Sequence, residues 1–247
     1  VKKILEDAGV GYIKLGKPTD ERHILVSKDG ATYQFGIDYM RDVWYSSSYL
    51  LDRKQSMNGC AKKRFENYKQ QPLEFVFDKS FTGKLSQFGL NPDRRTPSGI
   101  KAAIIREKGT NGEREMAYML YLAGFDVKDV TMTDLVSGRE TLEDINMVVY
   151  CGGFSNSDVL GSAKGWAGSF LFNPKAKAAL DNFYAREDTL SLGVCNGCQL
   201  MMELGLITPE DEKKGKMLHN DSHKFESAFL GVTVPMNRSV MFGSLSG

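Results

Sequence analysis

Short apolar runs alternate with amphipathic segments along the chain from residue 100 onward. The runs have the length of strands, and the segments between them repeat their apolar residues at helical spacing. Strands that alternate with helices form a parallel sheet, which holds its sites at the carboxyl ends of the strands. The pattern therefore predicts an α/β fold, a flavodoxin-like doubly wound parallel sheet. The predicted elements are the strands Lys101–Arg106, Val127–Thr131 and Val148–Tyr150, the helices Glu113–Ala123 and Lys175–Tyr184, and a strand before Cys195.

The first 52 residues follow a different pattern, which is typical of a small α+β segment. Apolar residues at helical spacing predict a helix within residues 1–10. Ile24–Ser27 and Ala31–Phe35 alternate around Lys28-Asp29-Gly30, and an Asp-Gly turn between alternating segments indicates a hairpin. Asp38 is predicted to cap the helix that follows. The segment is too small to bury a core of its own and contains no catalytic cluster.

Residues 53–99 are predicted to form a structured linker. Basic and amide residues open this stretch, a short apolar strand is predicted over Leu73–Phe77, and glycines and prolines follow. This composition is typical of a segment that crosses the surface of another domain, and we interpret its charges as a solvated face. The predicted boundaries divide the chain into residues 1–52, 53–99 and 100–247.

The strongest chemical signal lies at residues 190–202, which are predicted to form a strand, a Gly-x-Cys-x-Gly turn and a helix. Gly193 and Gly197 flank Cys195, and a Cβ at either position would clash in so sharp a turn. The pattern is the cysteine form of the nucleophile elbow. A thiol at a helix N-terminus ionises more readily, and a thiolate attacks carbonyl carbons. The stretch therefore favours covalent catalysis on an amide or acyl group.

Three other interpretations of this stretch remain open. Cys195 and Cys198 form a C-x-x-C pair, which in an α/β chain can be a redox site. The pair could also be half of a zinc site, but the sequence has no second C-x-x-C to complete it, and we predict no metal site. Finally, Cys195 could be a buried and inert residue of a packed turn.

A second apolar strand ends in the glycine pair Gly152-Gly153. Backbone amides at such a strand end can approach a developing oxyanion closely because no side chain intervenes. The alternative is a tight exit turn. The pair lies about forty residues before Cys195, which is the spacing of one parallel βαβ unit, so both strand ends can meet at one sheet edge. A redox C-x-x-C site does not need a glycine pair, so covalent catalysis is favoured. Cys151 is predicted to be a core residue.

Composition narrows the class of protein. The 247 residues include 32 basic and 31 acidic residues, 41% are hydrophobic, and the mean hydropathy is −0.33. This balance points neither to nucleic acid nor to a membrane surface, and no apolar run approaches the ~20 residues of a membrane span. Four cysteines in this arrangement do not resemble a secreted disulfide framework, so we predict a cytoplasmic location.

The elbow Gly193–Gln199, together with Cys151–Ser155 upstream, resembles the class I (triad) glutamine amidotransferases. Within that superfamily, other segments resemble the phosphoribosylformylglycinamidine synthase family in its large single-chain form. They include Arg106–Asn111, Glu115–Ala117, Ala123–Asp126, Asp158–Gly161, Gly165–Ala167 and Asn220–Glu226, and in the first hundred residues Trp44–Tyr49, Asn58, Cys60-Ala61 and Phe65. The resemblance covers essentially the whole chain.

The resemblance implies part of an ATP-dependent ligase of purine biosynthesis. In that family, glutamine is hydrolysed in the C-terminal domain, and its ammonia converts formylglycinamide ribonucleotide to the amidine at a distant site. Residues 1–52 would be the tail of the aminoimidazole-ribotide-synthetase-like catalytic domain, and residues 100–247 would be an amidotransferase domain that is incomplete at its C-terminus. The implied partners are glutamine and the remaining domains of the same chain. ATP and Mg would belong to the full-length enzyme, with none bound by this fragment, and no nucleic acid or membrane is implied.

Residue by residue, the resemblance assigns Cys195 as the nucleophile that forms a glutamyl thioester. The backbone amides of Gly153 and Asn196 would bind the oxyanion, and Gln199 would contact glutamine. Cys198 has no assigned role and is interpreted as a packing residue.

The chain also departs from the family pattern. The His and Glu of the family's Pro-His-Pro-Glu-like motif are not found, and His219 is interpreted as a structural residue, so we expect this fragment to be inactive alone. Asn156, Ser157 and Ala228 differ from the commoner residues at their positions. Two further hypotheses are a thiol-dependent stress protein of the same fold and a non-catalytic interaction module.

Overall fold

The computed structural model describes residues 1–67, 70, 80–207, 209–210, 212–213, 215–228, 230–237 and 239–245. The described residues fall into two compact units. The first contains those of Val1–Glu74 and His219–Gly247, and the second those of Phe75–Leu218. This grouping differs from the predicted boundaries because the last part of the predicted amidotransferase domain groups with the N-terminal residues. The strand predicted over Leu73–Phe77 lies outside the described residues.

The first unit begins with a short helix, α1 (Lys2–Asp7), and a hairpin formed by β1 (His23–Lys28) and β2 (Ala31–Gly36). The strands are antiparallel, and Lys28 pairs with Ala31 across a two-residue turn. Asp29 and Gly30 both have positive φ, 51° and 79°, as the favoured two-residue hairpin turn requires. The helix and the hairpin predicted from the sequence pattern are confirmed.

Two helices follow in the first unit, α2 (Ile37–Gln55) and α3 (Cys60–Asn67). The prediction that Asp38 caps α2 is wrong: the chain enters the helix directly from β2, so Gly36 occupies the N-cap position. Asp38 lies in the first helical turn, where its carboxylate accepts hydrogen bonds from the guanidinium of Arg22.

Ion pairs join the C-terminal segment of the first unit to α2 and α3. Arg64 of α3 pairs with both Asp52 and Glu226, and Lys224 pairs with Asp52. Burial opposes ionisation of Asp52, but hydrogen bonds from Lys224 and Ser56 and the charge of Arg64 outweigh it and hold the pKa of Asp52 below its usual value. The hydrogen bond from Arg64 likewise lowers the pKa of Glu226. These contacts give the Phe225-Glu226 motif a structural role within this unit.

The second unit is an α/β domain. Its elements are β3 (Lys101–Arg106), β4 (Thr110–Asn111), α4 (Glu113–Leu122), β5 (Asp126–Thr131), α5 (Met132–Ser137), β6 (Met147–Tyr150), β7 (Gly152–Gly153), α6 (Lys164–Leu171), α7 (Pro174–Tyr184), β8 (Leu190–Gly193) and α8 (Asn196–Glu203). The predicted strands and helices are found within a residue or two of their predicted ends. The pattern did not predict β4, β7 or α6.

The main sheet of this unit is parallel, and its strand order is β5-β3-β6-β8. The chain starts at β3, moves outward to β5, and then returns across β3 to β6 and β8. This reversal defines a doubly wound sheet, with a topological switch between β3 and β6 at which ligands bind in this architecture. The predicted α/β fold class is confirmed.

Apolar residues on both sides of the sheet form the core. The side chains of Ile104, Ile105 and Val148 are at most 1% exposed. Tyr150 packs edge-on against Trp166 of α6, with ring centroids 6.2 Å apart, so the last residue of β6 is fixed from one side. This packing supports the end of β6, which lies beside the end of β8 that carries the candidate site.

Candidate active site

Cys195 lies between β8 and α8, as the elbow pattern predicts. Its backbone has φ 53° and ψ −109°, a conformation that residues with a side chain rarely adopt. Such strain costs roughly 1–3 kcal/mol and persists only where the surrounding structure imposes it. Cys195 is exposed, and it directly precedes the first turn of α8, where backbone N–H groups have no intrahelical partner.

The two glycines beside Cys195 are required by close backbone contacts. A Cβ on Gly193 would lie 2.7 Å from the carbonyl oxygen of Gly197, and a Cβ on Gly197 would lie 2.1 Å from that of Tyr150. Both distances are far below any van der Waals contact between carbon and oxygen. The elbow therefore packs against the end of β6 with no room for a side chain, which confirms the steric reason given for the Gly-x-Cys-x-Gly pattern.

The glycine pair lies beside the thiol. β6 and β8 are neighbours, with Tyr150 paired with Gly193, and Gly152 follows directly after Cys151. A Cβ built on Gly152 would lie 3.3 Å from the Cβ of Cys195. Standard backbone dimensions then place the nitrogen of Gly153 within about 7 Å of that Cys195 atom. The two strand ends converge as the βαβ spacing predicts.

Gly152 and Gly153 form β7, which pairs with β4 in a two-stranded antiparallel ribbon. The N–H of Thr110 donates to the carbonyl of Glu107, and the N–H of Phe154 donates to that of Gly109. Thr110 and Gly153 are therefore a pair that exchanges no backbone hydrogen bonds, so the ladder does not use the N–H of Gly153. A Cβ on Gly153 would lie 2.5 Å from the carbonyl oxygen of Gly109, which requires glycine there.

The loop after the glycine pair holds three consecutive residues in the left-handed region. Asn156, Ser157 and Asp158 have φ of 51°, 54° and 48°. For residues other than glycine, each such conformation is unfavourable. Two hydrogen bonds hold the start of the loop: the N–H of Asn156 donates to the carbonyl of Lys108, and the N–H of Ser155 donates to the side chain of Asn196. The sequence singled out Asn156 and Ser157 only as departures from a family pattern.

Asn196 and Gln199 both lie on α8, directly after the nucleophile position. The Asn196 side chain is completely buried, and its Nδ2 donates to Oε1 of Gln199 at 2.9 Å. The structure therefore brings Gly153, Cys195, Asn196 and Gln199 together around one elbow. Their roles toward glutamine stay predictions.

The cysteines differ in environment, and none of the four forms a disulfide. Cys151 is buried, and desolvation, followed by the nearby charges of Glu113 and Asp129, raises the pKa of its thiol to about 11. This agrees with its predicted core position. Cys198 is partly buried one turn into α8. Cys195 is the exposed member of the group.

The two C-terminal histidines belong to the first unit, where their rings stack with centroids 5.8 Å apart. The neighbouring Asn220-x-Ser222 residues form a turn: the side-chain amide of Asn220 donates to the carbonyl of Lys224 at 2.7 Å, and Ser222 is buried. Asn58 donates to the carbonyl of Asp221. The motif residues of this segment thus make structural contacts within their own unit.

Two cavities among the described residues do not include the elbow. One of about 370 Å³ in the first unit is lined by Tyr45, Tyr49 and Phe65 among others. One of about 730 Å³ in the second unit is lined by Arg94, Arg114 and tyrosines. Neither contains a cysteine, serine–histidine pair or other activated nucleophile. The strained, exposed thiol at the strand ends therefore defines the candidate site.

The elbow, the glycine pair and the doubly wound sheet are the features of a thiol-dependent amidotransferase domain. Residues 99–247 match the CobB/CobQ-like glutamine amidotransferase domain family, and the chain belongs to this family. The described residues include no helix long and apolar enough to span a membrane.

Individual relatives are phosphoribosylformylglycinamidine synthases. The chain is 38% identical over 245 residues to the probable chloroplastic/mitochondrial enzyme of Arabidopsis thaliana. The aligned segment is 94% of this chain and 17% of that protein. It is 36% identical over 270 residues to the Homo sapiens enzyme, and this alignment includes 100% of this chain and 20% of the human protein. A solved structure of PurLQS from Thermotoga maritima has 25% identity, 49% coverage of each chain and a TM-score of 0.38, too loose a likeness to define a fold. The resemblance predicted from the motifs is confirmed, and the chain spans about a fifth of the length of these curated relatives.

Proposed function

We propose that the second unit contributes the glutaminase activity of a phosphoribosylformylglycinamidine synthase, with Cys195 as the nucleophile. The observation that carries this proposal is the strained, exposed thiol between a strand end and a helix N-terminus, directly beside Gly152. The elbow exposes the Cys195 thiol to solvent, and its neighbour Gly152 has no side chain to cover it.

The proposed reaction proceeds through a thioester. The Cys195 sulfur attacks the side-chain carbonyl carbon of glutamine, and a carbon–sulfur bond forms while the carbonyl oxygen becomes an oxyanion. A general base takes the thiol proton and, once protonated, acts as the general acid that gives this proton to the nitrogen. The carbon–nitrogen bond then breaks, the carbonyl re-forms as a thioester, and ammonia leaves. Water hydrolyses the thioester and releases glutamate and the free thiol. In related enzymes of this class, the base is the His of the Pro-His-Pro-Glu-like motif that the resemblance implies.

We assign the oxyanion site to the backbone amides of Gly153 and Asn196. The N–H of Gly153 is unused by the β4–β7 ladder, and the N–H of Asn196 is one of the donors that a helix leaves without an intrahelical partner. Donors fixed before the reaction stabilise the developing charge without reorganisation. We assign to Gln199, one turn along α8, the contact with glutamine that the resemblance implies.

Ammonia would then pass to the other domains of the same protein, where formylglycinamide ribonucleotide is converted to the amidine at the expense of ATP. Residues 1–52 would be the tail of that catalytic domain, residues 53–99 the linker and residues 100–247 the amidotransferase domain. ATP and Mg would belong to the other domains. In the part of the chain that the structure describes, no group of three or more His, Cys, Asp or Glu residues could hold a metal ion.

We assign the protein to a reducing compartment such as the cytoplasm, since its cysteines are free thiols.

Covalent labelling tests the proposed function. The chain is treated with a chloroketone analogue of glutamine, and the modified cysteine is identified by peptide mass spectrometry. We expect a single adduct on Cys195, suppressed by excess glutamine, and unchanged labelling in the matched control Cys198→Ala. Adducts mainly on Cys60 or Cys198, or labelling that glutamine does not suppress, would contradict the proposal. Rapid formation of a Cys195–Cys198 disulfide at cytosolic potential would favour the redox alternative instead.

A further inference from the structure

The buried side chain of Asn196 connects three parts of the candidate site. Its Oδ1 accepts a hydrogen bond from the N–H of Ser155 at 2.9 Å, and its Nδ2 donates to Oδ1 of Asp158 at 3.2 Å and to Oε1 of Gln199 at 2.9 Å. Asn196 is 0% exposed, so water does not compete for these bonds. One amide therefore ties the nucleophile helix to the loop that follows the glycine pair, although the partners lie 38 and 41 positions away in sequence.

Asp158 extends this connection. The same Oδ1 that accepts from Asn196 also accepts from the N–H of Ala163 at 3.1 Å. Both Asp158 and Ala163 have positive φ, 48° and 57°. Asn and Asp tolerate the left-handed region better than most residues, but three left-handed residues in a row remain unfavourable, so contacts from outside the loop help to hold it. The Asn196 amide supplies two of those contacts, at the beginning and at the end of Ser155–Asp158.

The loop begins two residues after Gly153, and Gly153 is joined to it through Phe154, whose N–H is fixed by Gly109. A shift of the loop would therefore move the Gly153 amide relative to the Cys195 thiol. The geometry points to Asn196 as a positioning residue, whose side chain holds the loop Ser155–Asp158 and the Gly153 amide in register with the thiol. This role is separate from that of its backbone N–H, and it rests on the proposed glutaminase function.

The first test compares two reagents on the chain and on Asn196→Ala. The glutamine chloroketone requires an aligned carbonyl, whereas iodoacetamide requires only an accessible thiolate. Displacing a reacting group by about 1 Å can cost a factor of 10². We expect the chloroketone to label Cys195 about 100-fold more slowly in Asn196→Ala, because misalignment at that scale is costly. Iodoacetamide labelling of Cys195 should stay within about a factor of three, since the thiol stays exposed at the start of α8.

Three further variants separate positioning from loss of folding: Asn196→Asp, its combination with Asp158→Asn, and Asn173→Ala. In the double variant Asp158→Asn with Asn196→Asp, the donor and the acceptor are exchanged, so the hydrogen bond between the two side chains and the one from Ser155 can both form. We expect this exchange to restore at least part of the chloroketone rate that Asn196→Asp alone loses. The matched control is Asn173→Ala, which removes another asparagine side chain that hydrogen-bonds at a helix start: Asn173 accepts from the backbone N–H groups of Lys175 and Ala176 on α7. Its chloroketone rate should be unchanged, and thermal unfolding of every variant reports whether it is folded.

The outcomes distinguish this inference from the function on which it rests. If the unmodified chain shows no glutamine-protected labelling at Cys195, the proposed function fails. If that labelling is normal but Asn196→Ala reacts at the same rate, the function stands and the positioning role is overturned. If Asn196→Ala is slowed equally toward both reagents, or if the exchanged double variant shows no recovery, the loss reflects a general disturbance of the elbow, and the positioning role is overturned in this case too.

Discussion

At the scale of the residue, the four cysteines show how the fold sets reactivity. Cys151 and Cys195 lie at the ends of neighbouring strands, yet one is buried in the core and the other is exposed at a helix start. Burial disfavours the charged thiolate of Cys151, which is why its pKa is raised to about 11. The reactivity of each thiol toward electrophiles should therefore depend on its place in the fold, with the thiol at the elbow the most reactive.

The pH dependence of alkylation should reveal this difference. We expect iodoacetamide to modify Cys195 readily near pH 8, while Cys151 stays protected until the pH approaches its pKa of about 11. A raised pKa means that the neutral thiol persists as the pH rises through the usual range for cysteine, so the thiolate forms late. Quantitative peptide mass spectrometry across pH 7–11 checks the order, with full exposure in denaturant as control. Equal rates at Cys151 and Cys195 near pH 8 would contradict it.

The two glycines of the elbow should tolerate no side chain. A Cβ at position 197 would lie 2.1 Å from the carbonyl oxygen of Tyr150, so Gly197→Ala should destabilise the domain by at least about 1–3 kcal/mol, the usual cost of overpacking. The matched control is Gly168→Ala within α6, where the added Cβ would meet only Phe172 at 3.7 Å. That change should be neutral or stabilising by up to about 1 kcal/mol. Urea unfolding of both variants measures the contrast, and a neutral Gly197→Ala would contradict the packing described.

The candidate site was only partly predictable from sequence. The Gly-x-Cys-x-Gly turn and the glycine pair can be recognised in the sequence, because close approaches of two backbones require glycine. The left-handed run at Asn156–Asp158 gives a weaker signal, since Asn and Asp tolerate this conformation without requiring it and distant partners help to hold it. The contacts of Asn196 with Ser155 and Asp158 depend on the tertiary fold, so no local pattern could reveal them.

At the scale of the element, the periodic segments were predictable and the short ones were not. β3 and α7 bury continuous or helically spaced apolar residues, and both are found close to their predicted ends. β4 and β7 contain two residues each, too few to give any alternation, and they exist because the chain folds back on itself beside the thiol. The prediction of a cap at Asp38 was wrong for a related reason. Strand β2 runs directly into α2, so Gly36, the last residue of the strand, is also the N-cap of the helix.

The start of α7 provides a test at this scale. Asn173 is the N-cap, its side chain accepts from the N–H groups of Lys175 and Ala176, and Pro174 occupies the first helical position. Asn173→Ala should lower the free energy of unfolding by about 1 kcal/mol, because two donors at the helix start lose their acceptor. Asn173→Asp, which keeps the acceptor, should be close to neutral. Urea unfolding measures both, and a loss in Asn173→Asp as large as that in Asn173→Ala would show that the side-chain acceptor is not what stabilises the helix start.

At the scale of the whole molecule, ion pairs and hydrogen bonds attach the C-terminal segment of the first unit to α2, α3 and the turn between them. Arg64 binds Asp52 and Glu226 together, and Lys224 adds a second cation beside Asp52. The family match continues through this segment, although its described residues group with the N-terminal ones. Residue type alone could not predict this grouping, because the ion pairs join positions 162 and 172 apart in sequence.

Acid should release this segment. The pKa values of Glu226 and Asp52 are lowered in the folded unit, so these groups contribute stability above their unfolded pKa values, and that stability is lost as the pH falls through the folded values. We therefore expect amide hydrogen exchange at residues 219–228 to rise below about pH 4, after correction for the intrinsic pH dependence of exchange.

Glu226→Gln should show much of this increase already at pH 7, with a modest cost of up to about 1 kcal/mol because the pair is partly exposed. The control Asp20→Asn changes an exposed carboxylate of the same unit and should leave exchange at residues 219–228 unaltered. Protection that is unaffected by both acid and Glu226→Gln would mean that apolar contacts, not the ion pairs, hold the segment in place.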